Sequence, residues 1–364
     1  MTRYNTKNER IKREYFRYLK DATGRATATI DGIRKAISRF EEYNRLKDFG
    51  TFNREQAIAF KDHLALQKAQ RTGEPMAKAT MLGTLNALKE FFRWLSCQPG
   101  YKSRLHRPDI EYLNMTDKDV AIAKAEKHKN FPTLQQIHKT LFLMPVETDI
   151  QRRDRAVMAF AILTGMRDNA LASLRLRHVD TNSDPVLVRQ EPDLVRTKFS
   201  KSILTHFFPV GDDIKAIALD WVRELREQML YGPSDPVFPR TRMGHDENQS
   251  FTALGLEAVC WDTATAIRRI FKTAFEAAGL PYFHPHLFRH TLGHLGQKLC
   301  KTPEEFKAWS QNLGHENPLT TFTSYGKLDT YRQGTLINGL GRGEYVNPKN
   351  DIEDVINILR KLQK

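Results

Sequence analysis

The sequence is poor in cysteine, in long apolar runs and in negative charge. Only Cys97, Cys260 and Cys300 occur in 364 residues, and no two of them form a CxxC pair. An odd, scattered set argues against a disulfide framework and for a reducing compartment. No stretch approaches the ~20 consecutive apolar residues of a membrane span. The opening residues, MTRYNTKNERIKREYF, lack the apolar centre of a secretory signal. The expectation is a cytoplasmic protein with no membrane partner. No segment repeats at a fixed period, and there is no low-complexity tract.

The shortage of acid is the largest departure from average. Lys and Arg number 57 against 43 Asp and Glu, a net charge of +14, with a pI near 9.6. Such a surplus points to a polyanionic partner, nucleic acid first among them. The hydrophobic share of 40% is enough for real cores, and the length suggests two domains.

Residues 6–98 read as four helices. Ile11, Tyr15 and Tyr18 share a face of the first, and Ile30, Ile33, Ile37 and Phe40 recur at the helical period in the second. Asn53 with Gln56 has the spacing of a capping box opening the third. Pro75 stands where a helix can begin. Leu82, Leu85, Leu88, Phe92 and Leu95 line the fourth, which Pro99-Gly100 stops. The outward positions are basic, among them Lys7, Arg10, Arg34, Arg39, Lys78 and Lys89, and could track phosphates. From Tyr101 to Phe131 the pattern weakens. The expected division is a helical domain over 1–105, a linker over 106–131, a second domain over 132–345 and a C-terminal helix over 346–364. That last helix carries Ile352, Val355, Ile356 and Leu359 as an apolar stripe. It is expected to dock on a neighbouring protomer or on its own chain.

In the second domain, Thr133 to Gln136 looks like a helix start. RRDRAVMAFAILTGMRDNALASLRL reads as a buried helix broken at Thr164-Gly165, then a second helix. Arg167 follows the break in apolar company, where a guanidinium needs a negative partner such as Asp168 or Asp154. Residues 186–210 alternate at period two and read as a three-stranded antiparallel sheet, with Lys198 near its last turn and Lys201 on it. A helix over 212–230 precedes YGPSDPVFPRTRMGHDENQS, read as an exposed excursion with little regular structure. A helix over 263–278 buries Ile267, Ile270, Phe271 and Phe275. Pro281 and Pro285 then keep the chain extended, so that His286 opens the next helix. The fold class expected is mainly α with a small antiparallel β-sheet.

The stretch from 284 to 327 carries the chemistry. His286 and Arg289 lie one helical turn apart, His315 follows a glycine, and Tyr325 ends a Thr-rich turn. Cationic and proton-shuttling groups beside a lone hydroxyl suit one task, holding a phosphodiester while an oxygen nucleophile attacks it. His286, His290 and His294 fall at four-residue steps, as a zinc face would. There is no HExxH, no nearby cysteine pair and no fourth ligand at a fitting spacing, so neither metal nor cofactor is expected. His284 and His290 read as packing or hydrogen-bonding residues.

These blocks resemble the catalytic domain of the tyrosine recombinases, the phage integrase family. TGMR holds Arg167, RTK holds Lys198, HLFR holds His286 and Arg289, LGH holds His315, and TTFTSYG holds Tyr325. They stand in the family's order over roughly 132–330, and the first four helices resemble its SAM-like core-binding domain. Two departures stand out. Ala170 replaces the acidic residue usual three positions after the first Arg, and Tyr325 lies one residue further from LGH than is common. Tyr331 is a rival nucleophile by residue type alone.

The resemblance implies a site-specific recombinase or integrase acting without ATP or metal. Arg167 and Arg289 would clamp the scissile phosphate, with His315 bonded to it. Tyr325 would attack to form a 3′-phosphotyrosyl link, Lys198 would protonate the leaving 5′-oxygen, and His286 would serve as base or proton shuttle. The implied partners are double-stranded DNA target sites and further copies of the chain, as a tetramer on DNA. A directionality factor or host bending protein is compatible with this. The alternatives are type IB topoisomerase-like relaxation and a catalytically inactive DNA-binding accessory protein.

Overall fold

A computed structural model of the chain describes residues 4–68, 73–125, 130–197, 201–245 and 249–315. Lys198, Tyr325, Tyr331 and the expected C-terminal helix lie outside them. Contacts divide the chain into two compact units, Met1–His128 and Lys129–Lys364. Among the described residues, no helix is long and apolar enough to cross a membrane.

The first unit is built from helices α1 (Thr6–Arg17), α2 (Thr27–Tyr43), α3 (Arg54–Leu66), α4 (Lys78–Leu95), α5 (Arg107–Glu111) and α6 (Asp117–Lys124). A π-turn over Tyr18–Ala22 extends α1. Leu19, four residues after Tyr15, is buried and continues the inner face, while Tyr18 is exposed. Asn53 caps α3, its side chain accepting from Gln56 N at 2.9 Å. Met81, Leu85, Leu88, Phe91, Phe92 and Leu95 are the buried apolar residues of α4, while Leu82 is only half-buried.

Aromatic rings dominate this core. Phe52 stacks on Phe92 at 3.9 Å, and Phe40 meets Phe60 edge-on at 5.1 Å. Each such pair adds ~1 kcal/mol beyond its buried area. Tyr101, Leu105, Ile110 and Leu113 belong to the same core. The unit therefore runs past residue 105 into the stretch read as a linker, because α5 and the turn after it bring Ile110 and Leu113 into the core over a span too short to show a period.

The second unit comprises α7 (Leu134–Leu143), α8 (Asp149–Thr164), α9 (Asp168–Leu171), strands β1 (Val179–Asp180), β2 (Leu187–Gln190) and β3 (Ile203–His206), and α10 (Asp212–Glu227). It continues with β4 (Arg240–His245), β5 (Phe251–Glu257), α11 (Thr265–Ala277), α12 (Leu287–Leu299) and α13 (Pro303–Asn312). Reciprocal capping boxes start α7 (Thr133, Gln136), α8 (Thr148, Gln151) and α13 (Thr302, Glu305). Each cap stabilises its helix by ~1 kcal/mol. Helix α8 is the central element. Every residue from Ala156 to Thr164 is buried, with Phe160 edge-on to Phe207 and Phe238.

The three-stranded sheet has the antiparallel order β1-β2-β3, with Val188 opposite Thr205. Its first strand lies at 179–180, before the segment that was expected to supply all three. Within that segment, Val195 N bonds Glu191 O in a turn instead of a ladder. The stretch read as an exposed excursion with little regular structure contains strand β4, which pairs antiparallel with β5 just beyond it. Both strands bury little, so no apolar alternation marks them in the sequence.

Candidate active site

Three segments of the second unit converge on Arg289. The first is the end of α8, where Gly165 takes a left-handed conformation with φ +59. A Cβ there would stand 2.8 Å from a Leu313 methyl and 3.0 Å from one of Leu292. Glycine is thus required both for the turn and for the close approach of two neighbours. The turn delivers Arg167 two residues later, at the N-cap of α9 and half-buried.

Asp154 and Asp168, the partners suggested for Arg167, each hold another arginine. Asp154 accepts from Arg153 at 2.6 Å and Asp168 from Arg268 at 2.7 Å. Ala170 is only 1% exposed and packs into the core, so this position offers no room for a solvated carboxylate.

The second segment is α12. Leu287, Phe288 and Leu292 anchor its inner face, and Phe288 packs against Phe271 of α11 at 4.9 Å. His286 is the N-cap residue, and Arg289 lies one turn on. A helix N-terminus presents unpaired N–H groups and favours anions.

The third segment follows α13. Gly314, at φ +72, turns the chain, and His315 is buried.

Arg289 is 3% exposed and holds three neutral acceptors. Nη1 donates to Gly165 O at 2.6 Å, and Nη2 donates to Leu313 O at 2.6 Å and to His315 Nε2 at 2.9 Å. The fork is thereby fixed by the backbone of both neighbouring turns. A guanidinium can only donate, so His315 Nε2 is the acceptor and its ring proton is on Nδ1. Burial first, then Arg289 and Arg167, push the His315 pKa down to about 4.

His286 is solvent-exposed as a residue, yet closely surrounded. Burial of the ring leads, with Arg289, His290, Arg167 and His284 following, and its pKa also falls to about 4. Both imidazoles are neutral at pH 7. His284 stacks on His286 at 6.3 Å, and His290 meets it edge-on at 5.8 Å while stacking on Phe131.

Arg167, His286, Arg289 and His315 therefore share one electrostatic neighbourhood. Lys198, between β2 and β3 in the chain, and Tyr325 belong to no described segment. Sequence reasoning missed the carbonyls of Gly165 and Leu313 as the groups that orient Arg289. The glycines of TGMR and LGH were the available signal.

Two arginines and two histidines thus gather near a helix N-terminus, a setting that favours anions, in a mainly helical unit with a small sheet. The model of the phage integrase family matches residues 127–332, more than half of the chain. The chain belongs to this family, the tyrosine recombinases.

The tyrosine recombinase XerC of Bacillus pumilus is 21% identical over 319 residues, covering 87% of this chain and 91% of that protein. XerC of Pseudomonas putida is 22% identical over 328 residues, covering 88% and 92%. Among solved structures, XerH site-specific recombinase bound to palindromic difH substrate matches with a TM-score of 0.60 and 16% identity, covering 89% of this chain and 82% of that one. A lambda integrase dimer bound to a COC′ core site matches with a TM-score of 0.55 and 14% identity, covering 88% and 95%. These likenesses bear on the fold.

Proposed function

We propose that the chain is a site-specific DNA recombinase that cuts and rejoins DNA strands through a 3′-phosphotyrosyl intermediate. The observation that carries this reading is the convergence on Arg289. Its fork is fixed by two carbonyls and by His315, and Arg167 lies close enough to depress both His286 and His315. Family membership and a charge of +14 support double-stranded DNA as the substrate. Relaxation of the type IB kind and an inactive accessory role are not favoured, since the curated relatives are recombinases.

In the proposed reaction, Arg167 and Arg289 bind the non-bridging oxygens of the scissile phosphate. A planar fork that stays charged suits this, and it stabilises the charge of the pentavalent transition state. The Tyr325 oxygen forms a bond to phosphorus as the bond to the 5′-oxygen breaks. His286, neutral at pH 7, takes the phenolic proton, and Lys198 supplies one to the departing 5′-oxygen. His315 can donate from Nδ1 to a phosphate oxygen. The ester energy is kept in the phosphotyrosyl bond, so a 5′-hydroxyl from a second duplex reverses the step and exchanges strands. The working form is a homotetramer on DNA.

The test is covalent trapping on a nicked duplex carrying the target site. The wild-type chain is expected to form a protein–DNA adduct and Tyr325→Phe none. An adduct that persists in that variant would remove Tyr325 as the nucleophile.

A further inference from the structure

Asn312 joins two parts of the candidate site that the chain itself does not connect. It is the last residue of α13, directly before Leu313, Gly314 and His315. Strand β3 is terminal in the three-stranded order, with β2 on its other side. The Asn312 carboxamide lies on that outer edge. His206 N donates to Asn312 Oδ1 at 2.7 Å, and Asn312 Nδ2 donates to His206 O at 2.9 Å. These are the two bonds that a residue of a neighbouring antiparallel strand would exchange.

The main chain adds to the tie. Asn312 O accepts from Thr205 Oγ1 at 3.2 Å, and Thr205, buried in β3, accepts from Gln190 Nε2 of β2 at 3.1 Å. Gly314 allows the close seat, since a Cβ there would lie 2.9 Å from an Ile203 methyl. On its other side the same turn offers Leu313 O and His315 Nε2 to Arg289 Nη2.

We infer that Asn312 is a positioning residue for DNA cleavage. It fastens the Leu313–His315 turn to the edge of β3 and thereby sets the placement of Arg289 and His315. This rests on the reading of Arg289 as a group that grips the scissile phosphate. Asn312 itself touches no reacting atom. A carboxamide suits the position because it pairs a donor with an acceptor. Aspartate keeps the bond from His206 N but sets a carboxylate against His206 O, and alanine loses both bonds.

The experiment uses the full chain and two nicked duplexes, one with an ordinary scissile phosphate and one in which methyl replaces a non-bridging oxygen. The methylphosphonate linkage is neutral, so its cleavage depends less on a second guanidinium. On the ordinary substrate, Asn312→Ala is expected to slow adduct formation by up to about 100-fold, the scale of a 1 Å misplacement. Asn312→Asp should fall between alanine and wild type, and being isosteric it carries the comparison if the alanine variant melts early. On the methyl substrate, the deficits of Asn312→Ala and of the control Arg289→Ala should shrink together. Wild-type rates in both Asn312 variants would overturn the inference. So would an Asn312 deficit that persists on the methyl substrate while that of Arg289→Ala is relieved. If the Arg289→Ala deficit itself persists there, the phosphate-gripping role of Arg289 fails, and this inference with it.

Discussion

Two arginines of the second unit are buried to the same 3%, and they are held in opposite ways. Arg153, on α8, donates from Nε and Nη2 to Asp154 at 2.9 and 2.6 Å, from Nη1 to Pro239 O at 2.8 Å, and faces the Trp261 ring at 5.0 Å. Its charge is matched by a neighbouring carboxylate, and burial still pulls its pKa down. Arg289 is instead gripped by two carbonyls and an imidazole, all neutral. These three partners satisfy N–H groups without themselves opposing the positive charge, as the proposed grip on a phosphate calls for. Burial alone thus does not separate a structural arginine from a functional one. On the proposed reading, the charge of the acceptors they hold does.

This contrast predicts which property each substitution damages. Arg289→Ala should have the largest effect, lowering the cleavage rate by about 10²–10³-fold, as loss of one preorganised donor to an oxyanion does. Single-turnover adduct formation reads this directly. Arg153→Met should act on stability instead. It strands Asp154, already pushed up by burial, and should cost about 3 kcal/mol, the low end for breaking a buried pair because Asp154 keeps some exposure. Denaturant unfolding measures this loss, while the folded fraction should cleave at the wild-type rate. Comparable activity losses in the two variants would break the comparison.

A smaller effect concerns pH. His315 falls from the ordinary 6.5 to about 4 in the folded chain. The unfolded chain then binds the extra proton first. The stability contributed by the neutral ring is full above pH 6.5 and is lost as pH falls toward 4. Replacing His315 with Gln should flatten the stability profile across that window. An NMR titration should place the wild-type ring below its ordinary value, and a ring that titrates at or above 6.5 would contradict the arrangement with Arg289.

Much of the second unit was legible because its signals are local. A glycine that only a left-handed turn explains, Thr133 with Gln136, and apolar residues at helical steps all state their structure within a few positions. The arginine and histidine blocks were equally readable, since TGMR, HLFR and LGH are short and carry their own turns. What escaped depends on distant partners. Nothing near Asn312 announces that it pairs with His206, more than a hundred residues away. The β4–β5 hairpin mixes Arg, Thr, Met and His on strands that bury little. In the first unit, Leu19 and not Tyr18 completes the buried face of the first helix, and α5 proved too short to show a period. Arg167 reads as buried from its apolar neighbours, yet the turn after Gly165 brings it only half inside.

The most direct measurement is the identity of the covalent bond. The chain would be trapped on a nicked target duplex, digested, and the DNA-bearing peptide sequenced by mass spectrometry. The account predicts a single adduct joining the Tyr325 oxygen to a 3′-phosphate, formed about 10²–10³-fold more slowly in Arg289→Ala. An adduct on Tyr331 or another side chain, or one at a 5′-end, would contradict it.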